Sequence, residues 1–201
     1  GIITYNKVDK NAQTLLNKSA YNVDPFTAGI EIVVTNECDE ILPLTGNKFD
    51  VKFLRPINVV DLKSAELKDA TTGTAKIDMS KLLGLTDWRG EAFAVEPIDF
   101  YTYYGIEGAT AISIDKDKIM TTLNASEAAP KLLKDVAPNM SIDYACDLKK
   151  SGNDITYGDL VYANGKFTIN APFKLFIPVT VKYTFGEVTS TVTLTITPTH
   201  D

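Results

Sequence analysis

Two groups of residues in this chain are of the types that could do chemistry. The first is the aromatic run Asp99-Phe100-Tyr101-Thr102-Tyr103-Tyr104, with Trp88 eleven residues upstream of Asp99. Aromatic faces stack on the C–H surface of sugar rings, and a nearby carboxylate takes hydroxyl hydrogen bonds. Trp88, Tyr101, Tyr103 and Asp99 are therefore the candidate ligand-binding residues. Read as a strand, the run puts Tyr101 and Tyr103 on one face and Phe100, Thr102 and Tyr104 on the other. The competing reading makes one face core and packs the other beneath the Trp88 loop, since aromatic side chains supply much of a β-sandwich core.

The second group is acidic. Asp87, Glu91, Glu96 and Asp99 offer carboxylate pairs of the kind a glycosidase needs, but a chain with twenty-six acids offers many such pairs. Asp115-Lys116-Asp117-Lys118 alternates carboxylates as a calcium loop does. It lacks the glycine and the distal glutamate of an EF-hand, and its lysines offset the charge, so it reads as a solvated turn. His200, the only histidine, stands next to the last residue, a poor place for a triad or a zinc ligand. No catalytic residue, metal ligand or cofactor is expected.

The elements that must position these residues are strands. From Phe173 to Phe185 every odd position is apolar, and from Val188 to Ile196 the apolar residues Val188, Val192, Leu194 and Ile196 are even-numbered, facing a threonine series. This period of two marks half-buried strands. With Gly186-Glu187 as a two-residue loop, Phe185 pairs with Val188, Tyr183 with Ser190, Val181 with Val192, Val179 with Leu194 and Ile177 with Ile196. In that register Pro178 has its missing N–H on the side away from the partner, so the other side should be a free edge or bulged there.

Further strands are expected over 30–34 and 49–53 as an antiparallel pair with a long connection, and over 57–62, 66–69, 74–78, 111–115, 118–123 and 140–148. Asn164-Gly165 suggests a hairpin pairing Tyr162 with Phe167 and Leu160 with Ile169. Short helical turns are expected over Lys81 to Leu83, capped by Asp78 or Ser80 and ended by Gly84, and within Ser126 to Val136. Many short strands with almost no helix point to an all-β, antiparallel sandwich.

A length of 201 residues with 44% hydrophobic content allows a substantial core in one domain or two. The net charge of −6, with no basic cluster, argues against nucleic acid as a partner. Apolar runs are far too short for a membrane helix. Beginning at Gly1, the chain reads as a mature or trimmed piece from which a signal or lipid anchor has been removed. Cys38 and Cys146 are either a disulfide pair or, more commonly for two distant cysteines, small buried hydrophobes.

The order of several short motifs is similar to that of a known family. These are Thr35-Asn36-Glu37-Cys38 with Leu42-Pro43-Leu44-Thr45, Phe53-Leu54-Arg55-Pro56-Ile57, Leu85-Thr86-Asp87-Trp88-Arg89, Tyr103-Tyr104-Gly105-Ile106, and the stretch from Ile177 to Glu187. From about Thr35 onward the chain resembles the tandem immunoglobulin-like β-domains of large Bacteroides-type cell-surface proteins. The resemblance implies an immunoglobulin-like sandwich, a cell-surface or extracellular location, and neighbouring modules of the same polypeptide as partners, with a glycan or host protein as a further one. It implies a spacer, adhesive or glycan-handling accessory role and carries over no catalytic residue. It also implies that residues 1–56 finish one module and 57–201 form the next; the alternative is one elaborated sandwich. Two functions follow: a non-enzymatic structural or adhesive module, or a carbohydrate-binding module using Trp88 and the 100–104 aromatics.

Overall fold

The computed structural model describes residues 26–53, 56–63, 65–70, 73–87, 89–93, 99–122, 129–163, 171–184 and 186–199. Trp88, Glu96, His200 and the Asn164-Gly165 turn lie outside them. In chain order the strands are β1 (Phe26–Glu31), β2 (Val34–Thr35), β3 (Ile41–Leu42), β4 (Lys48–Phe53), β5 (Ile57–Asp61), β6 (Glu66–Ala70), β7 (Thr74–Asp78) and β8 (Leu83–Asp87). They continue with β9 (Ile112–Ile114), β10 (Met120–Thr122), β11 (Lys131–Leu132), β12 (Ser141–Tyr144), β13 (Lys149–Ser151), β14 (Asp154–Thr156), β15 (Asp159–Ala163), β16 (Phe173–Tyr183) and β17 (Gly186–Thr199). Among the described residues helix occurs as single turns, Met79–Lys81, Phe100–Tyr103, Lys116–Lys118 and Leu133–Val136, the first and last near the two expected positions.

β16 and β17 form the centre of the largest sheet, whose order is β11-β10-β16-β17-β6, with β9 also on β16. Phe173, Leu175, Ile177, Val179, Val181 and Tyr183 are all buried, while the residues between them are half-buried or exposed. Each such side chain contributes about 1.5–3 kcal/mol when fully removed from water, so the alternation orients the strand. Facing them in one buried cluster are Leu160 and Tyr162 of β15, Ile142 of β12, Ile57 and Val59 of β5, and Leu83 and Leu85 of β8. Asp61 at the end of β5 ties that strand to β17, its carboxylate accepting the Thr193 N–H at 3.1 Å and hydroxyl at 2.8 Å.

The hairpin register differs from the sequence expectation. Tyr183 stands opposite Gly186, so Gly186 already belongs to the ladder, and Val181 pairs with Val188, Ile177 with Val192, Leu175 with Leu194 and Phe173 with Ile196. Each residue's partner has moved by four positions, an even number, so every side chain keeps its face. The physical reason is tertiary. The Thr184 N–H donates to the Tyr104 carbonyl at 2.7 Å, fixing the loop, and Gly186 supplies the positive φ of 127° at the start of β17.

Tyr183 and Gly186 now flank the loop, so Pro178 keeps the same parity and its nitrogen still faces away from β17. On that far side β9 pairs with Val179 to Val181 and β10 with Lys174 to Phe176. The ladder breaks at Ile177-Pro178, where the turn Lys116–Lys118 intervenes, and the interrupted edge expected from the proline is present.

Four other expectations are corrected. β6 runs parallel to β17, so the sheet is mixed and not wholly antiparallel. Gly84 does not end a helix but lies within β8, because the helical turn starts earlier, at Met79, with Asp78 as its cap. Both edges of β15 are taken, by β12 and β7, so Leu160 and Tyr162 pair with Tyr144 and Ile142 on one side and Ile77 and Ala75 on the other. The partners implied by the Asn164-Gly165 signal lie outside the described residues. Finally, Cys38 is exposed and not a buried hydrophobe, and both cysteines are free; Cys146 is half-buried with its Sγ 3.6 Å from the Gly108 carbonyl.

Residues 26–53 form a separate ribbon, β1 pairing antiparallel with β4 across the β2–β3 hairpin, as the spacing suggested. Among residues 29–51 of this ribbon none belongs to the buried cluster, whose first described member is Ile57.

Candidate functional site

The aromatic run is a helical turn, not a strand, and this changes which rings can act together. Asp99 is its cap: Oδ1 accepts the N–H groups of Tyr101 at 3.1 Å and Thr102 at 3.2 Å, and Oδ2 accepts the Thr102 hydroxyl at 2.9 Å. Such a carboxylate satisfies the free donors of a helix start and competes well with extended backbone. Lys150 donates to the same Oδ2 and to the Thr102 hydroxyl. The Lys150 hydrogen bond is the main reason the Asp99 carboxyl sits below the usual carboxylate range. Both oxygens are thus committed to the turn, which makes Asp99 a positioning residue.

A helical turn rotates successive side chains by about 100°, so Tyr101 and Tyr103 do not share a face. Tyr101 is only 3% exposed and Tyr103 is 64% exposed. The hydroxyls of Tyr101 and Tyr157 are 2.7 Å apart, and the Tyr144 hydroxyl donates to the Tyr157 carbonyl at 2.6 Å. Burial pushes all three phenols upward. Phe100 and Tyr104 stack at 6.1 Å, and each packs on Phe93, at 5.4 Å and 5.8 Å. Tyr103 leans edge-on against Tyr104 at 5.0 Å and leaves its own ring in solvent.

Beside this cluster, the Asp87 carboxylate is buried and held from several directions. Arg89 donates from Nε at 2.8 Å and approaches through a terminal nitrogen at 2.7 Å; the N–H groups of Arg89 and Glu91 add bonds at 2.8 and 3.1 Å. Arg89 also pairs with Glu91 at 2.9 Å. Two of the four acids that could have made a glycosidase pair, Asp87 and Glu91, are therefore bridged by one guanidinium, while Asp99 is held by Lys150 and Glu96 lies outside the described residues.

A groove of about 560 Å³ lies over the outer face of β12, β15 and β7. Its carboxylates are partnered: Asp143 with Lys116, Asp147 with Lys149 at 2.5 Å and Asp159 with Lys76 at 3.6 Å. Asp78 accepts the N–H groups of Ser80, Tyr157 and Gly158. Lys118 and Lys134 pair with Asp115 and Asp117, so the Asp115–Lys118 stretch is a salt-bridged turn. Among the described residues no group of three or more histidines, cysteines and carboxylates is placed to hold a metal ion. No described helix is long and apolar enough to cross a membrane.

The feature the chain pattern did not single out is on the ribbon. Ile32 to Val34, Ile41, Leu42, Leu44 and Phe49 are all exposed, Ile41 by 72%, and of the other described large hydrophobics only Leu62 and Tyr103 are comparably exposed. The signal available in the sequence was the apolar alternation on both ribbon strands, which looks the same whether its face is covered or open. Neither a protein-family model nor a curated protein matches this chain.

Proposed function

We propose that this chain is a non-enzymatic structural or adhesive module of a bacterial cell-surface protein. In this reading residues 57–201 form an immunoglobulin-like sandwich, and residues 1–56 belong with an adjoining module of the same polypeptide. The observation that carries the reading is the ribbon from β1 to β4, with seven exposed large hydrophobics that no described part of the core covers. Apolar patches of this kind are unusual on monomers and characteristic of surfaces that meet another protein. The test is surface exposure on intact cells of the source. An antibody against the chain should label unpermeabilised cells, and external protease should remove the label. Labelling only after permeabilisation would sink the reading.

A second reading is favoured by one specific observation, the solvent-facing ring of Tyr103 against Tyr104. In it the module binds carbohydrate through Tyr103 with Trp88, and Tyr101 and Asp99 support the turn from beneath. Affinity electrophoresis in gels containing neutral polysaccharides, with Trp88→Ala and Tyr103→Ala alongside, tests it. Retardation lost in both variants supports the reading, and unretarded wild-type protein rules it out for those polymers.

A further inference from the structure

The polar face of the ribbon carries both signs of charge. By strand parity Glu31 of β1 shares it with the Lys48, Asp50 and Lys52 positions of β4, while Ile30, Phe49, Val51 and the Phe53 position fall on the other face. Glu31 stands opposite Lys48 and is paired with it at 3.6 Å. Asp50 stands opposite Gly29, and Lys52 opposite Thr27, so neither position meets a charge directly across the ribbon.

The edge of β4 away from β1 has a defined hydrogen-bonding parity. The Ile32 N–H donates to the Asn47 carbonyl at 2.8 Å, and these two residues continue the β1–β4 register by one step. Odd-numbered residues of β4 therefore turn their main-chain groups toward β1, and Lys48, Asp50 and Lys52 turn theirs outward. Among the described residues β4 pairs with β1 alone. Two strands by themselves are marginal in water, and an apolar-faced sheet needs at least three.

Laid antiparallel against the β4 edge of a second copy, with Val51 on the two-fold axis, this strand is complementary to itself. Asp50 meets Lys52 of the second copy and Lys52 meets its Asp50, while on the other face Phe49 meets Phe53 and Val51 meets Val51. The outward-turned Asp50 and Lys52 supply the main-chain hydrogen bonds, and Val51 forms a non-hydrogen-bonded pair, where side chains approach most closely. An axis at Asp50 would set Asp50 against Asp50 and Lys48 against Lys52, which like charges oppose. An axis at Phe49 would match Asp50 with Lys48, but it would set Val51 against Asn47 and draw on a lysine already paired with Glu31. The edge of β1 offers no such match, since Glu31 is its only charged residue.

Resting on the reading of the ribbon as a surface that meets another protein, we propose that this protein is a second copy of the chain, joined through the outer edges of β4 in a continuous sheet of order β1-β4-β4-β1 with Val51 at the two-fold axis. Oligomeric state is measured independently of cellular location, so either reading can fail alone.

The experiment is sedimentation equilibrium of the full chain and four variants. Wild type should rise with concentration from the mass of one chain to that of two. Asp50→Lys and Lys52→Asp each place like charges across the axis and should stay at the mass of one chain over the same range. An equimolar mixture of these two variants restores opposite charges at both positions and should recover the dimer, as should the double variant Asp50→Lys with Lys52→Asp. Both positions face uncharged residues within the ribbon, so none of these changes breaks a cross-strand charge pair inside one chain. Lys48→Ala, outside this register, should dimerise as wild type does. Wild type that stays single, single charge variants that dimerise as well as wild type, no recovery in the mixture or the double variant, loss of the dimer in Lys48→Ala, or masses that grow past two copies would overturn the proposal. A dimer that forms only after removal of residues 1–25 would assign the edge to the chain's own beginning and would also overturn it.

Discussion

Asp78 and Gly158 hold each other from both directions. The Gly158 N–H donates to Asp78 Oδ2 at 3.2 Å, and the N–H of Met79, next to Asp78, donates to the Gly158 carbonyl at 2.9 Å. This fastens the turn after β7 to the start of β15 and holds the chain at Gly158 close against the segment that follows β12. Gly158 has a φ of +90°, and a Cβ there would lie 2.4 Å from the Ala145 carbonyl oxygen and 2.6 Å from the Asp147 nitrogen. Both neighbours are backbone and cannot swing aside.

Gly158→Ala should therefore be among the most damaging single substitutions. The positive φ alone costs about 1–3 kcal/mol for a residue with a Cβ, and the backbone collision adds to it. At roughly 2–4 °C per kcal/mol for a chain of this size, the melting temperature should fall by about 5–10 °C or more. Gly152→Ala is the control: its φ is also positive, at 59°, but nothing lies within 4 Å of the added atom. If the two variants melt together, close approach is not what selects glycine at 158.

The Asp61 link between β5 and β17 predicts a graded pair of effects. Asp61→Asn keeps an acceptor for the Thr193 N–H or hydroxyl, whereas Asp61→Ala leaves both donors without that partner. Hydrogen bonds to a charged group contribute about 1.5–3 kcal/mol, so the alanine variant should lose about that much in urea unfolding and the asparagine variant clearly less. Equal losses would show that packing at Asp61, and not its acceptors, joins the strands.

The strands were legible where burial alternates, and the misreadings have identifiable causes. β16 and β17 could be read because a buried face imposes period two; their register could not, because the contact that fixes the loop, Thr184 to Tyr104, is tertiary. The run from Phe100 to Tyr104 has high strand propensity, yet the Asp99 cap and the packing of Phe100 and Tyr104 on Phe93 override it. Asp99 with Thr102 three residues on was the available signal for a helix start. The parallel pairing of β6 with β17 has no local signature at all, since register across 129 residues from Glu66 to Thr195 depends on the assembled sheet.

Two carboxylates predict the response to acid. Burial pushes Asp87 up, but the Arg89 guanidinium and the N–H groups of Arg89 and Glu91 outweigh it and hold the carboxyl below its usual range. Asp99 is lowered chiefly by Lys150. A carboxyl with a depressed folded-state pKa adds stability that is present above its unfolded value, near 3.8, and is lost as pH falls through the lower folded value. Melting temperatures should therefore hold through mild acidity and drop below about pH 4. Asp87→Asn should be less stable than wild type at pH 6 and lose less on acidification, so the two curves converge. Parallel curves would mean that Asp87 ionisation contributes nothing to the acid response.

The alkaline response has the opposite sign and a different cause. Tyr101, Tyr104, Tyr144 and Tyr157 are all raised above the ordinary phenol value of 10.0, in each case first by burial, which disfavours the phenolate. A raised folded-state pKa gives stability that is complete below the unfolded value and is lost as pH rises above it, because the unfolded chain gives up protons that the folded one keeps. In a titration followed by tyrosinate absorbance, these four should stay neutral near pH 10 and ionise as the fold opens. Tyr157→Phe removes one phenol from that late step and deprives the buried Tyr101 hydroxyl of its 2.7 Å partner, while the Tyr157 main-chain carbonyl stays in place for Tyr144. The expected cost is about 1 kcal/mol at neutral pH, and the late step should shrink by one tyrosine. A late step of unchanged size in the variant would show that Tyr157 titrates with the exposed tyrosines and that the buried phenol pair does not contribute to the alkaline limit of the fold.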